Sequence, residues 1–215
     1  MFVVIVPILS FVIWSFLNKR SSSDFYHSIP YTRLCIYLSK TAAILSWTLF
    51  ILIVSYGLKC GLYLANRKYF IVDYATMTHM YLAMFICSVL CMSVINVAVS
   101  VTGNIISNIC VTGLIMFLPR FLCMMATSMA YYHGSGYMIA DSGVGLLDYT
   151  NNMLVGFVLS VLGGYSGYGK MVLDITNNIY SLVLALIYIV LGAVLFIHRK
   201  SETAGKAANG KVLPM

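Results

Sequence analysis

Charge is what this sequence has least of. Only 9% of its 215 residues are Asp, Glu, Lys or Arg, against about 25% in an ordinary soluble domain. Six acidic and thirteen basic side chains cannot cover a water-facing surface on a chain that is 61% hydrophobic. That excludes a water-soluble globule and leaves lipid as the solvent for most of the surface. Carboxylates are scarcest of all, and none falls inside an apolar run. Proton- or ion-driven pumps carry such groups within their spans, so coupling to an ion gradient has no visible residues here. Catalytic signatures are also missing. There is no HExxH pair for a zinc protease and no GxSG nucleophile loop for an intramembrane serine protease.

The six cysteines, Cys35, Cys60, Cys87, Cys91, Cys110 and Cys123, lie mostly in apolar runs. Cys87 and Cys91 share a helix face, but no His, Asp or Glu stands at matching spacing, so they read as packing residues. Neither a metal site nor a disulfide framework is implied. Gly164-Tyr165-Ser166-Gly167-Tyr168-Gly169-Lys170 has the spacing of a phosphate-binding loop, yet Met171 stands where Ser or Thr would hold Mg²⁺. It reads as an aromatic interfacial loop. Asp141, Asp148 and Asp174 fall in loops with no His nearby except the isolated His133.

What the chain does have is long apolar runs. Met1 to Leu17, Thr41 to Leu58, Met77 to Val101, Ile105 to Ala130 and Ile179 to Ile197 predict five spans. Between Asp73 and Arg120 no ionised side chain occurs, only His79, which is room for two crossings joined by a tight Gly103-Asn104 turn. Pro119 is expected to kink or end the fourth run. Arg120 either snorkels to the headgroups or faces a partner helix or polar path. Met153 to Leu162 is apolar but about ten residues long, which suits a re-entrant or interfacial helix before the last span.

Basic residues sit beside these runs, at Lys19-Arg20, Arg67-Lys68 and Arg199-Lys200. That placement belongs to a membrane protein rather than a nucleic-acid binder, despite the net charge of +7. It predicts a multi-pass protein of the plasma membrane, with the N-terminus outside and the C-terminus cytoplasmic. The inner segments then hold eight Lys and Arg and the outer ones five. Lys59 to Asp73 is read as an outer loop. The fold class is all-α, a polytopic transmembrane helix bundle of five spans plus one short re-entrant helix. Residues 1–198 form the membrane domain, with an inner segment 18–40, and residues 199–215 form a cytoplasmic tail.

The most informative stretch lies in that inner segment: Asp24-Phe25-Tyr26-His27-Ser28-Ile29-Pro30, with Arg33 close behind. Ser22 or Ser23 suits an N-cap, Asp24 suits the first turn, and Pro30 stops the helix. Phe25 and Ile29, four apart, make a small apolar knob able to enter a groove on a soluble partner.

This stretch resembles the DFxHSLP segment of ATP-binding-cassette (ABC) transporter permeases of the second exporter type, in a group common in Gram-positive bacteria. Ile29 replaces the usual Leu. The tail Arg199-Lys200-Ser201-Glu202-Thr203-Ala204-Gly205 is similar to the end of those permeases. The resemblance implies a permease subunit of an ATP-driven exporter, working as a homodimer or beside a sister permease. A separate ABC ATPase would dock on Asp24, Phe25, Tyr26, His27, Ser28, Ile29, Pro30 and Arg33. ATP and Mg²⁺ would belong to that partner, leaving this chain with no catalytic site, cofactor or metal. The family pattern has six spans and begins one span earlier, so this chain is expected to lack the first. The competing reading is a non-transporting membrane scaffold or assembly factor.

Overall fold

The computed structural model describes residues 2–18, 21–22, 25, 30–68, 73–133 and 175–199. Every regular element among them is helical: α1 Phe2–Ile13, a 3₁₀ turn Ser15–Asn18, α2 Arg33–Ala65, α3 Tyr74–Val101, α4 Ile105–His133 and α5 Ile175–His198. Three of these, α2, α3 and α5, are long and apolar enough to cross a membrane. Helices suit such a sequence because each satisfies its own backbone groups without water.

α2 outruns the expected span at both ends. Its uncharged stretch Thr41 to Leu58 is 18 residues, or about 27 Å, close to the hydrocarbon thickness of a bilayer. Lys40 and Lys59 bracket that stretch, and the helix continues a further one to two turns beyond each lysine. Lys59, placed in a loop by the sequence pattern, is therefore helical. Thr32 starts α2 by accepting Cys35 N–H at 3.4 Å. Tyr37, Thr41, Ile44, Thr48 and Leu52 form its buried stripe, recurring at steps of four, three, four and four.

α3 is the hub, and α1, α2, α4 and α5 all pack on it. Every residue from Ile86 to Ser100 is buried, as expected of a helix apolar on all sides. Asp73 caps its start by accepting Ala75 N–H at 3.0 Å. Thr102 closes its end, and Gly103-Asn104 turns the chain straight into α4. On α5, the residues facing inward include small ones, Ser181, Ala185 and Gly192. Small residues let two helix backbones approach in lipid, where no hydrophobic drive exists between helices.

One sequence expectation needs correction and another is narrowed. The first run is not one continuous α-helix. α1 has 12 residues, about 18 Å, and gives way at Trp14 to the 3₁₀ turn. Pro119 does not end the fourth run, because α4 continues through it to His133. Prolines are tolerated in such helices when neighbouring groups take up the freed carbonyl. The side chain of Arg120 lies outside the described residues, as do Met153 to Leu162 and the Gly164 to Lys170 loop.

Candidate functional site

Successive helices run in opposite directions, so five element ends meet at one end of the bundle. The last turn of the α1 segment, the start of α2, the end of α3, the start of α4 and the end of α5 are joined there by hydrogen bonds. The deepest part of this junction is built on Asn96 of α3, which is 1% exposed. Trp14 Nε1 donates to Asn96 Oδ1 at 2.8 Å, and Asn96 Nδ2 donates to Thr41 Oγ1 at 3.3 Å. One amide thus binds α1 and α2 to α3. Thr41 passes its own hydroxyl hydrogen back to Tyr37 O at 2.9 Å.

Tyr37 reaches α5. Its hydroxyl donates to Ile189 O at 3.0 Å. It fits only because residue 192 is glycine: a Cβ there would lie 2.7 Å from Tyr37 Oη. Ser100 Oγ sits 2.7 Å from Asn96 O and 3.2 Å from Gly192 O, one hydroxyl shared by two helices. Around these polar groups the rings of Trp14, Tyr37 and Phe196 form a triangle with centroids 5.6 to 5.7 Å apart. Such tilted ring pairs add to ordinary burial.

Below the aromatic layer lie two arginines. Arg199, 1% exposed, turns its guanidinium inward. Nη1 donates to Val99 O, near the end of α3, and Nη2 to Leu17 O at 3.2 Å, in the 3₁₀ turn. A cation at the carbonyl ends of helices meets both unpaired acceptors and the negative end of the helix dipole. Burial lowers Arg199 from its usual range to about 10, which leaves it charged at neutral pH. Arg33 Nη1 donates to Ile197 O at 3.0 Å and to Arg199 O, fastening the start of α2 to the end of α5. Beside them, Asn108 Nδ2 donates to Asn18 Oδ1 at 3.2 Å, and Thr102 bonds to Asn108, so α4 is held as well.

Of the residues singled out from the sequence, Phe25, Pro30 and Arg33 are described. Phe25 is helical and exposed, Pro30 is exposed, and Arg33 is the residue that belongs to the junction. Ser21 and Ser22 are already helical, so the turn starts ahead of the Ser22 or Ser23 cap expected. Asp24, Tyr26, His27, Ser28 and Ile29 lie outside the described residues. The sequence pattern passed over Trp14 and Asn96 and read Arg199 only as a flanking charge. A lone amide in an uncharged apolar run was the available signal for Asn96. Cys87 and Cys91 are buried free thiols on α3. Among the described residues no three His, Cys, Asp or Glu side chains gather as metal ligands would.

Among the described residues of the junction, no nucleophile is paired with a base. The junction's donors and acceptors are spent on one another and on helix-end carbonyls. Arg33 bonds the start of α2 to the end of α5, and Arg199 bonds that end to α3 and to the turn after α1. No family model matches the sequence, and neither a curated protein nor a solved structure matches it.

Proposed function

We propose that the chain is the membrane-spanning permease subunit of an ATP-driven ABC exporter. A separate ATPase subunit docks on the Asp24 to Arg33 segment and supplies both ATP and Mg²⁺. In this reading α1 and α4 join α2, α3 and α5 as spans, and the helix before the last span is re-entrant. The N-terminus lies outside, and the arginine junction faces the cytoplasm. A second permease, identical or a sister, completes the pathway.

One observation carries the reading. Arg33, at the end of the docking segment, is hydrogen-bonded to the last carbonyls of α5. An exporter energised from outside its own chain needs such a mechanical link between the loop that is pushed and the helices that move. Phe25, 64% exposed, supplies the apolar contact at the loop. ATP-driven approach of two ATPase subunits then loads the segment, and the load reaches the spans at Arg33.

The test is co-expression with an ABC ATPase encoded beside this gene, followed by purification on this chain. Phe25→Ala with Ile29→Ala is expected to cut the copurified ATPase by about tenfold, on the order of two lost apolar contacts of 0.7 kcal/mol each, while membrane insertion is unchanged. Unchanged copurification overturns the docking claim. A complex that forms but whose ATP hydrolysis is indifferent to the permease overturns the exporter reading in favour of a scaffold.

A further inference from the structure

α2 and α3 stay in touch toward the end of the bundle opposite the arginine junction, through Tyr56, Thr78 and Tyr81. Between them opens an apolar cleft lined by Leu49, Leu52, Ile53, Tyr81, Leu82 and Phe85. Leu49, Ile53 and Leu82 are exposed along it. The cleft is not apolar to its end. Tyr56 Oη and Thr78 Oγ1 lie 3.0 Å apart at its outer edge, and the Tyr56 and Tyr81 rings meet edge to face at 5.1 Å. Lys59 closes this collar, its ammonium 5.8 Å from the Tyr81 ring centre and 5.9 Å from that of Tyr63.

The depth of Lys59 in the bilayer follows from α2 itself. It stands one uncharged stretch of about 27 Å from Lys40, so the two lysines mark the two headgroup levels. Tyrosines at that level are the usual interfacial belt. Lys59 has no carboxylate of this chain to pair with among the described residues. Asp73 is the one acid among them, and it caps α3, accepting from Ala75 N–H and the Thr76 hydroxyl. An apolar slot with a tyrosine collar and a single cation at the headgroup level has the polarity of one amphiphile, anionic at one end and hydrocarbon at the other.

We propose that the α2–α3 cleft is a binding site for a phospholipid with an anionic headgroup, its acyl chain along Leu52 and Leu82 and its phosphate on Lys59. This does not rest on the permease reading and holds for a scaffold equally. A single interfacial lysine favours an anionic lipid over a zwitterionic one by about fivefold.

The full-length protein, reconstituted in nanodiscs of equal dioleoyl-phosphatidylglycerol and dioleoyl-phosphatidylcholine, tests it by native mass spectrometry of the lipids retained after partial delipidation. The wild type is expected to keep phosphatidylglycerol over phosphatidylcholine by about fivefold. Lys59→Gln is expected to return the ratio to that of the bulk, Lys59→Arg to keep it, and Lys68→Gln to leave it alone. Leu82→Trp, which fills the slot, is expected to lower both lipids together. A wild-type ratio equal to the bulk, or enrichment that survives Lys59→Gln, overturns the proposal. So does a Leu82→Trp protein that retains its lipid but changes oligomeric state, which would make a second copy the occupant.

Discussion

Trp14 and Asn96 are 82 residues apart in sequence, and the indole N–H of the first meets the amide oxygen of the second at 2.8 Å in the buried centre of the bundle. Neither group has water to turn to. Hydrogen bonds between membrane helices are worth about 0.6 kcal/mol on average and up to about 2 kcal/mol. A double-mutant cycle with Trp14→Phe and Asn96→Leu, read by reversible unfolding in bicelles, is expected to give a coupling energy in that range. A coupling of zero would mean the bond is geometric only. Asn96→Leu is expected to cost more than the cycle term, because it also strips Thr41 of its donor.

Gly192 tests the close contact between α2 and α5. Gly192→Ala places a methyl group against Tyr37 Oη, 2.7 Å from the ideal Cβ position. The expected cost is about 1–3 kcal/mol. Gly192→Ala combined with Tyr37→Phe is expected to recover part of it, since the clashing oxygen is gone. Thermal unfolding in detergent, followed by a thiol-reactive dye on buried Cys87 and Cys91, reads both.

Arg199 separates a flanking charge from a structural one. A charge that merely sits in headgroups tolerates Lys. Here two carbonyls on different elements share one planar fork, and an ammonium has no such fork. Arg199→Lys is expected to lose about 1 kcal/mol. Arg199→Met leaves both carbonyls without a partner and is expected to lose on the order of 2–4 kcal/mol. Equal stability of the Lys variant would return Arg199 to the role of a topological marker.

Asp73 predicts an acid-sensitive helix start. Its carboxylate is held below the usual range first by the Thr76 hydroxyl, then by the backbone N–H groups of Thr76 and Ala75. The folded value is lowered, so its contribution is complete above the unfolded value near 4 and disappears as pH falls through the folded one. The protection factors of the Ala75 and Thr76 amides, taken against the unstructured rate at the same pH, are expected to fall below about pH 4. In Asp73→Asn, which keeps a side-chain acceptor without a titrating group, that pH dependence is expected to vanish. Protection factors that do not change with pH in the wild type would remove the cap.

The orientation proposed for the bundle can be read directly. In a cysteine-free background, Asn66→Cys at the end of α2 and Tyr31→Cys ahead of its start lie at opposite ends of one helix. A membrane-impermeant maleimide applied to intact cells is expected to label the first and spare the second. The reverse pattern would invert the topology and place the Arg33 segment where no ATPase can reach it.

Hydropathy made α2, α3 and α5 legible because a run of apolar residues wide enough for the bilayer has little choice but to be a helix there. It misjudged the first run for a related reason. Met1 to Leu17 is apolar throughout, and nothing in its composition reveals that the helix breaks at Trp14, whose indole is bound to Asn96 on another helix. For Pro119 the choice was between a kink and an end: its missing donor is a local fact, while the continuity of α4 is decided by the helix around it. Charge placement identified Arg33 and Arg199 as lying at the same end, which the structure bears out. It counts sides of a membrane and says nothing of direction, so the inward turn of Arg199 onto Val99 and Leu17 was invisible.

The distribution of contacts along α2 has a mechanical meaning. Its buried residues run from Tyr37 to Leu52 with Ile44 at their middle, and none of the residues from Ile53 to Ala65 is buried. From Ile44 the helix extends about 16 Å back to Arg33 and about 31 Å onward to Ala65. Were α2 to tilt as a rigid rod about that buried stretch, its fulcrum would lie nearer the arginines. A displacement of about 1 Å at Arg33 would then swing the far tip by about 2 Å in the opposite sense. A push at one face of the membrane would arrive at the other doubled and reversed, and the first thing it would move is the wall of the α2–α3 cleft.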